Sequence, residues 1–358
     1  MARPPSIDRP LERLRLGDGE RKAGHLRNWR AATMSAATFA AGGVMRYFLH
    51  TDAQGKWRGT WQIDAGVAQR LGVANPQATQ NAYVVAAPQA GETDLDALRR
   101  QIRLLIGQDG PTSNLIETKL APGEFYPRIA RPVEQHPNES PGIYPGIELI
   151  RDQVANAQGQ LVALARNLEN ICQVVHPTGP NLEAFGHEIR NLLILACTEA
   201  EAHWRGVLEE NSISPSNGRN FTTVDYVKLT DAMRLTDYGA RFPYYPWLPV
   251  MRPFEIWGTT GSPTKELPWY ASYNAIKHDR EKEFARATLL HAFHAVTACA
   301  IMVYAQYGMT ERVSFFVGRL NNFVEITEVP RWSPADVYIH PYTSHGLLGT
   351  WTPTLYPF

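Results

Sequence analysis

The chain predicts a mainly α protein: a helical bundle over residues 147–308, a small α/β unit before it and an irregular extension after it. Three observations carry that reading. Apolar residues recur at helical spacing in four long stretches between Ile147 and Tyr307. Strand-like alternation before the bundle is confined to short segments upstream of residue 107. Between them lie Pro111, Pro122, Pro127, Pro132, Pro137, Pro141 and Pro145, which exclude a continuous helix.

Taken in order, 1–24 is rich in Pro, Arg and Gly and reads as a mobile basic arm with interspersed acids. Residues 25–106 form the small α/β domain. His25 to about His50 reads as a helix, Lys56–Ile63 as a strand, Ala65–Leu71 as a short helix and Ala82–Ala87 as a strand. Asp94–Ile106 reads as an amphipathic helix, with Leu95, Leu98, Ile102, Leu105 and Ile106 on one face. Residues 107–146 read as a Pro-rich linker.

The bundle begins with Ile147 to about Val175, apolar at Ile150, Val154, Leu161, Leu164, Leu168 and Ile171, and stopped by Pro177. Leu182 to about Leu208 is the second helix, burying Phe185, Ile189, Leu192, Leu193, Ala196 and Ala200. Thr223–Leu235 is the third, capped by Thr222 or Thr223. Phe242–Leu267, with five prolines among aromatics, wraps the bundle in extended form. Pro268 suits the first turn of a fourth helix running through Tyr307 to Gly308. Phe315–Ile326 reads as one or two strands, and Pro330–Phe358 lies over the surface as part of an extension, 309–358, packed on the bundle.

Net charge is zero, so no global field recruits nucleic acid or a membrane, which leaves only a local patch to do so; neither DNA nor a membrane is expected as a partner. Ala31–Met45 is uncharged but too short and weakly apolar to span a bilayer, and Ala287–Tyr307 is interrupted by His291 and His294. Cys172, Cys197 and Cys299 sit in apolar helical stretches and read as buried free thiols of a cytoplasmic protein.

Chemistry-bearing side chains cluster in three places. Tyr273-Asn274-Ala275-Ile276-Lys277-His278-Asp279-Arg280 places an imidazole among an amide and two cations, near an expected helix start that favours anions. His278 is the candidate acid/base, Lys277 and Arg280 the phosphate contacts, and Asn274 the orienting amide. A solvated, salt-bridged helix turn is the plainer reading of the same residues. Glu199, Glu201 and His203 form a second cluster as possible partners across the bundle, with Tyr273 in support. His291 and His294 form a third at metal-like spacing, but no further ligands stand near them, so neither metal nor cofactor is expected. Phosphate-loop, zincin, paired-cysteine and nucleophile-elbow motifs are absent from the sequence.

Two of these features carry a family resemblance: the acid-bearing stretch Glu188–Trp204 and the polar-plus-His cluster Tyr273–Arg280. On them, 147–308 resembles the HEPN superfamily of small all-α bundles. That resemblance implies a metal-independent endoribonuclease or RNA-targeting defence factor, working on RNA or nucleotide, with its site formed across a homodimer. The family signature is an Arg four to six residues before a His. Here those positions hold Asn274, Tyr273 and Ser272, so only His278 carries over directly. Asn274 stands at the polar position, and Lys277 or Arg280 would supply the cation. The alternative is a non-catalytic binding or scaffold protein whose bundle mediates dimerisation. A metal-dependent bundle using Glu199, His203, His291 and His294 is a third reading.

Overall fold

Leu289–Tyr307 contains no charged residue and is apolar on nearly every side. A helix of that kind is stable in water only if other elements cover it all round. The computed structural model describes residues 45–64, 67–72, 82–84, 89–93, 95–97, 99–100, 114–140, 142–308, 323–342 and 349–358. In it, fifteen of that helix's nineteen residues are buried.

The described chain begins with a five-stranded antiparallel sheet in the order β4-β3-β2-β1-β5. Its strands are β1 (Arg46–Thr51), β2 (Trp57–Asp64), β3 (Val67–Arg70), β4 (Ala82–Val84) and β5 (Asn114–Glu117). Phe48, Trp61 and Leu115 form its apolar face, with Leu95 packed against them. β2 matches the expected strand at Lys56–Ile63. Two expected helices are strand where the chain is described. Arg46–Thr51 is strand because Tyr47, Phe48 and Leu49 pair with Gln62, Trp61 and Thr60 across the hairpin. Val67–Arg70 is strand because it pairs back onto β2. A four-residue run has too little local propensity to resist a ladder. Residues 95–97 and 99–100 are helical; the remainder of Asp94–Ile106, the arm 1–24 and residues 25–44 lie outside the described residues.

The Pro-rich stretch packs inward. Leu120, Phe125, Tyr126, Ile129, Ala130, Val133, Tyr144 and Ile147 all belong to the main core. β6 (Glu124–Phe125) lies within it. Pro removes helical hydrogen bonds but not apolar surface, so the described residues of 120–147 act as packed turns and bridges rather than spacer.

The helices follow. α1 is Arg151–Val174 and α2 is His187–Glu210. α3 is Thr223–Tyr226, and Asp225 accepts the Thr222 N–H at 2.9 Å to close its first turn. α4 is Leu229–Met233, and β7 (Gly239–Arg241) pairs with β8 (Glu325–Glu328). The aromatic segment 242–267 packs into the core, burying Phe242, Met251, Phe254 and Trp257, but as successive turns rather than in the expected extended form. Phe185, expected inside, precedes α2 and is 52% exposed.

The expected fourth helix is broken in three. α5 is Pro268–His278, α6 is Arg280–Glu283 and α7 is Leu289–Tyr307. Asp279, at φ −140° and ψ 81°, leaves helical geometry and its carboxylate caps Lys282 N. Thr288 restarts the helix by accepting the His291 N–H at 3.3 Å. Both residues favour caps because their short side chains compete for the backbone. α7 ends at Gly308 as expected, at φ 70°.

α1, α2 and α5 all pack on α7. The C-terminal extension is partly core, not surface: Val337, Tyr338 and Ile339 are fully buried. Tyr338 donates to Ile129 O at 2.6 Å, and β9 (Thr352–Pro353) pairs with β6 in parallel. The Arg131 guanidinium lies over Tyr126, Trp332 and Tyr356, tying that extension down. All three cysteines are free and buried. Among the described helices only α7 is long and apolar enough to cross a membrane, and it is mostly buried inside the protein.

Trp204 is the hub of the aromatic core. It is fully buried, with ring centroids of Tyr226, Phe254, Trp257, Trp269 and Tyr270 all within 6.3 Å. Trp204→Ala is expected to cost about 3–5 kcal/mol in chemical denaturation, against under about 0.5 for exposed Val174→Ala.

Candidate functional site

The break after α5 reverses the electrostatics expected for the 273–280 cluster. Lys277 and His278 occupy the last turn of α5, where the helix dipole is negative and free carbonyls face out. His278, Lys277 and Arg280 are exposed and Asn274 is half-buried. Tyr273 is buried, and Lys277 Nζ donates to its hydroxyl at 3.3 Å. That bond raises the pKa of the ammonium above its ordinary value. Among the described residues, Lys277, His278 and Arg280 touch no carboxylate.

α2 divides the three expected partners between two faces. Glu201 points at α5 and accepts the Tyr270 hydroxyl at 2.5 Å. Burial and that carboxylate push the Tyr270 phenol far above its usual range. Glu199 and His203, one turn apart, face the other way, toward α1 and the end of α7. They line an open cleft of about 450 Å³ with Arg128, Gln153, Asn156, Ala157, Gln160, Ala202 and Tyr307. A second groove of about 590 Å³ lies between the starts of α5 and α7, beside Ser272, Thr288 and His291. Asn274, Lys277, His278 and Arg280 line neither. His291 and Gln306 stand fifteen residues apart on α7, roughly 22 Å at 1.5 Å per residue. The histidines of that helix therefore do not converge with Glu199 and His203 on a metal.

The first cleft is built around one amide. Gln306 is fully buried near the end of α7. Its Oε1 accepts Arg128 Nε at 2.9 Å, and because a guanidinium only donates, this orients the amide. Its Nε2 therefore donates, to Met302 O at 2.8 Å and to His203 Nδ1 at 3.0 Å. His203 Nδ1 must be the acceptor, so its proton sits on Nε2. That N–H is buried and makes no hydrogen bond, with Glu199 Oε1 3.4 Å away. Burial first, and the Arg128 charge second, push the imidazole pKa down to about 3. Burial raises the Glu199 carboxyl, opposed by Arg128. The cleft thus holds a neutral N–H donor, a carboxyl displaced toward neutrality and a guanidinium.

Arg128 is the least expected member. Its φ is 53°, in the left-handed region that non-glycine residues rarely occupy. Its Nη2 donates to the Tyr307 hydroxyl at 3.2 Å. No carboxylate pairs with it among the described residues. Gly206, one turn beyond His203, leaves the space it fills: a Cβ there would overlap Arg128 Nη1.

Sequence reasoning named Glu199 and His203 but missed Arg128, Gln306, Gly206 and the α1 amides. Two signals were present. Gln306 is an amide within an apolar helix, which requires a buried partner. Gly206 sits inside a helix, where glycine costs about 1 kcal/mol unless another group must approach closely. Nothing local marks Arg128.

Comparison with protein-family models, curated proteins and solved structures found no match.

The site has a measurable acid signature. Between about pH 3 and 6.5 the unfolded chain binds a proton at His203 that the folded chain excludes, so stability rises with pH across that window. His294, pushed down to about 4 by burial, acts with the same sign. Denaturation across this range is expected to show a slope of up to about 1.4 kcal/mol per pH unit from each group. His203→Gln, which keeps a hydrogen-bonding side chain, should flatten it; an unchanged slope would place His203 in water.

Proposed function

We propose that the protein is a metal-independent enzyme of acid–base chemistry at a phosphodiester, acting on RNA in the Arg128–Glu199–His203 cleft. One observation carries the reading: a carboxyl with a raised pKa shares an open cleft with a guanidinium that no carboxylate pairs among the described residues, and stands 3.4 Å from a buried imidazole N–H. A carboxyl displaced upward suits proton transfer near neutrality. A guanidinium without a carboxylate suits the charge of a pentavalent phosphorus. In the proposed step Glu199 takes the proton of the RNA 2′-hydroxyl as its oxygen bonds to phosphorus. The P–O5′ bond breaks, and the same carboxyl returns the proton to the leaving oxygen. Arg128 hydrogen-bonds the phosphoryl oxygens, leaving a 2′,3′-cyclic phosphate.

A second reading keeps the proton transfer at His278, as the HEPN-like resemblance implies. What supports it is the exposure of Lys277, His278 and Arg280 with no carboxylate in contact among the described residues. In that reading a second copy of the chain completes the site, in a cytoplasmic homodimer.

The two readings separate by substitution. Mixed RNA incubated with the full chain and a metal chelator is expected to yield cyclic-phosphate ends. Glu199→Gln is expected to lower that rate by roughly 10²-fold or more, with His278→Ala within about threefold of wild type. The opposite ranking selects the His278 reading, and intact RNA throughout defeats both. Gly206→Ala removes no charge yet displaces the Arg128 guanidinium, so it is expected to lower the rate by about 10²-fold.

A further inference from the structure

α1 contributes three carboxamides to the lining of the cleft, and their chemistry differs from that of Arg128, Glu199 and His203. Gln153, Asn156 and Gln160 stand three and four residues apart, which puts all three on one helical face. Gln153 and Asn156 are exposed and Gln160 is half-buried. None of the three carboxamides makes a hydrogen bond among the described residues. Two small residues, buried Ala157 on α1 and exposed Ala202 on α2, line the cleft beside these amides.

Carboxamides bring a donor and an acceptor side by side and carry no charge. Three of them are the wrong tool for a phosphate, which the guanidinium already suits. They match a flat group that offers neutral donors and acceptors along its edge, as Asn and Gln do on base edges.

We propose that Gln153, Asn156 and Gln160 recognise a nucleobase, so that the cleft binds a nucleoside phosphate unit with its base on α1 and its phosphate at Arg128. This specificity assignment rests on the phosphate-directed reading of Arg128. The ligand is a free nucleotide or one residue of an RNA strand, and the base contacts are the same for both.

The test uses the full chain and titration calorimetry with five probes: the four nucleoside 5′-monophosphates and ribose 5-phosphate. Wild type is expected to bind at least one nucleotide about tenfold or more tighter than ribose 5-phosphate, the discrimination expected of one good base contact. In Gln153→Ala/Asn156→Ala/Gln160→Ala, every nucleotide should fall to the affinity of ribose 5-phosphate, which itself stays unchanged. Ala raises helix propensity at these positions, so folding is preserved and is checked by thermal denaturation. Arg128→Gln should weaken all five probes together. Nucleotides no tighter than ribose 5-phosphate, or a triple variant identical to wild type, overturn the base assignment. Nucleosides without phosphate bound in an amide-dependent manner, with Arg128→Gln silent, would uphold the base wall while removing the phosphate reading. A short RNA bound far more tightly than any mononucleotide, with the same dependence on the amides, assigns the site to a strand.

Discussion

An apolar helix must be hidden from water, and the rest of this bundle is arranged to hide α7. Its nineteen residues carry no charge, and α1, α2 and α5 each lay an apolar face against it. Helices alone leave gaps around such a core. The irregular, proline-bearing stretches fill them with aromatic rings: Phe125 and Tyr126 from the first, Phe242, Phe254 and Trp257 from the second, and Tyr338 from the C-terminal extension. Segments that composition marks as connectors are therefore structural, because an aromatic ring buries area whatever its backbone does.

The same burial creates the candidate site. At its last turn α7 carries Gln306 and Tyr307, and a buried amide must find partners or lose several kcal/mol of solvation. Gln306 finds three: Met302 O, Arg128 and His203. In satisfying itself it orients a guanidinium and fixes the tautomer of an imidazole. Glu199 then sits at the edge of that network, partly withdrawn from water. Packing and chemistry are here one arrangement.

The cluster at 273–280 shows how far local spacing can mislead. Asn274, Lys277 and His278 do share a helix, but Asp279 and Thr288 prefer capping geometry to continued helix. The cluster therefore closes α5 instead of opening a longer helix, and the dipole it meets has the other sign. Glu201 reaches α5 yet engages Tyr270, because the buried phenol needs an acceptor more than an exposed cation needs a partner. Trp204, four residues from Ala200 on the buried face of α2, packs where the helical period puts it.

By itself the sequence determined what periodicity and caps can encode: mainly α architecture, α1 and α2 to within a few residues, the stop at Gly308, the β2 strand and the burial of the three cysteines. It determined also that Glu199 and His203 share one face of a helix, since four residues complete about one turn. Only the tertiary structure decided which face meets which neighbour. Arg46–Thr51 and Val67–Arg70 became strands because partners offered them a ladder. Arg128 joined Glu199 and His203 across more than seventy residues of chain because Gly206 left room and Gln306 required a donor. Long-range packing chooses among locally permitted conformations, and no short window of sequence contains the partner that makes the choice.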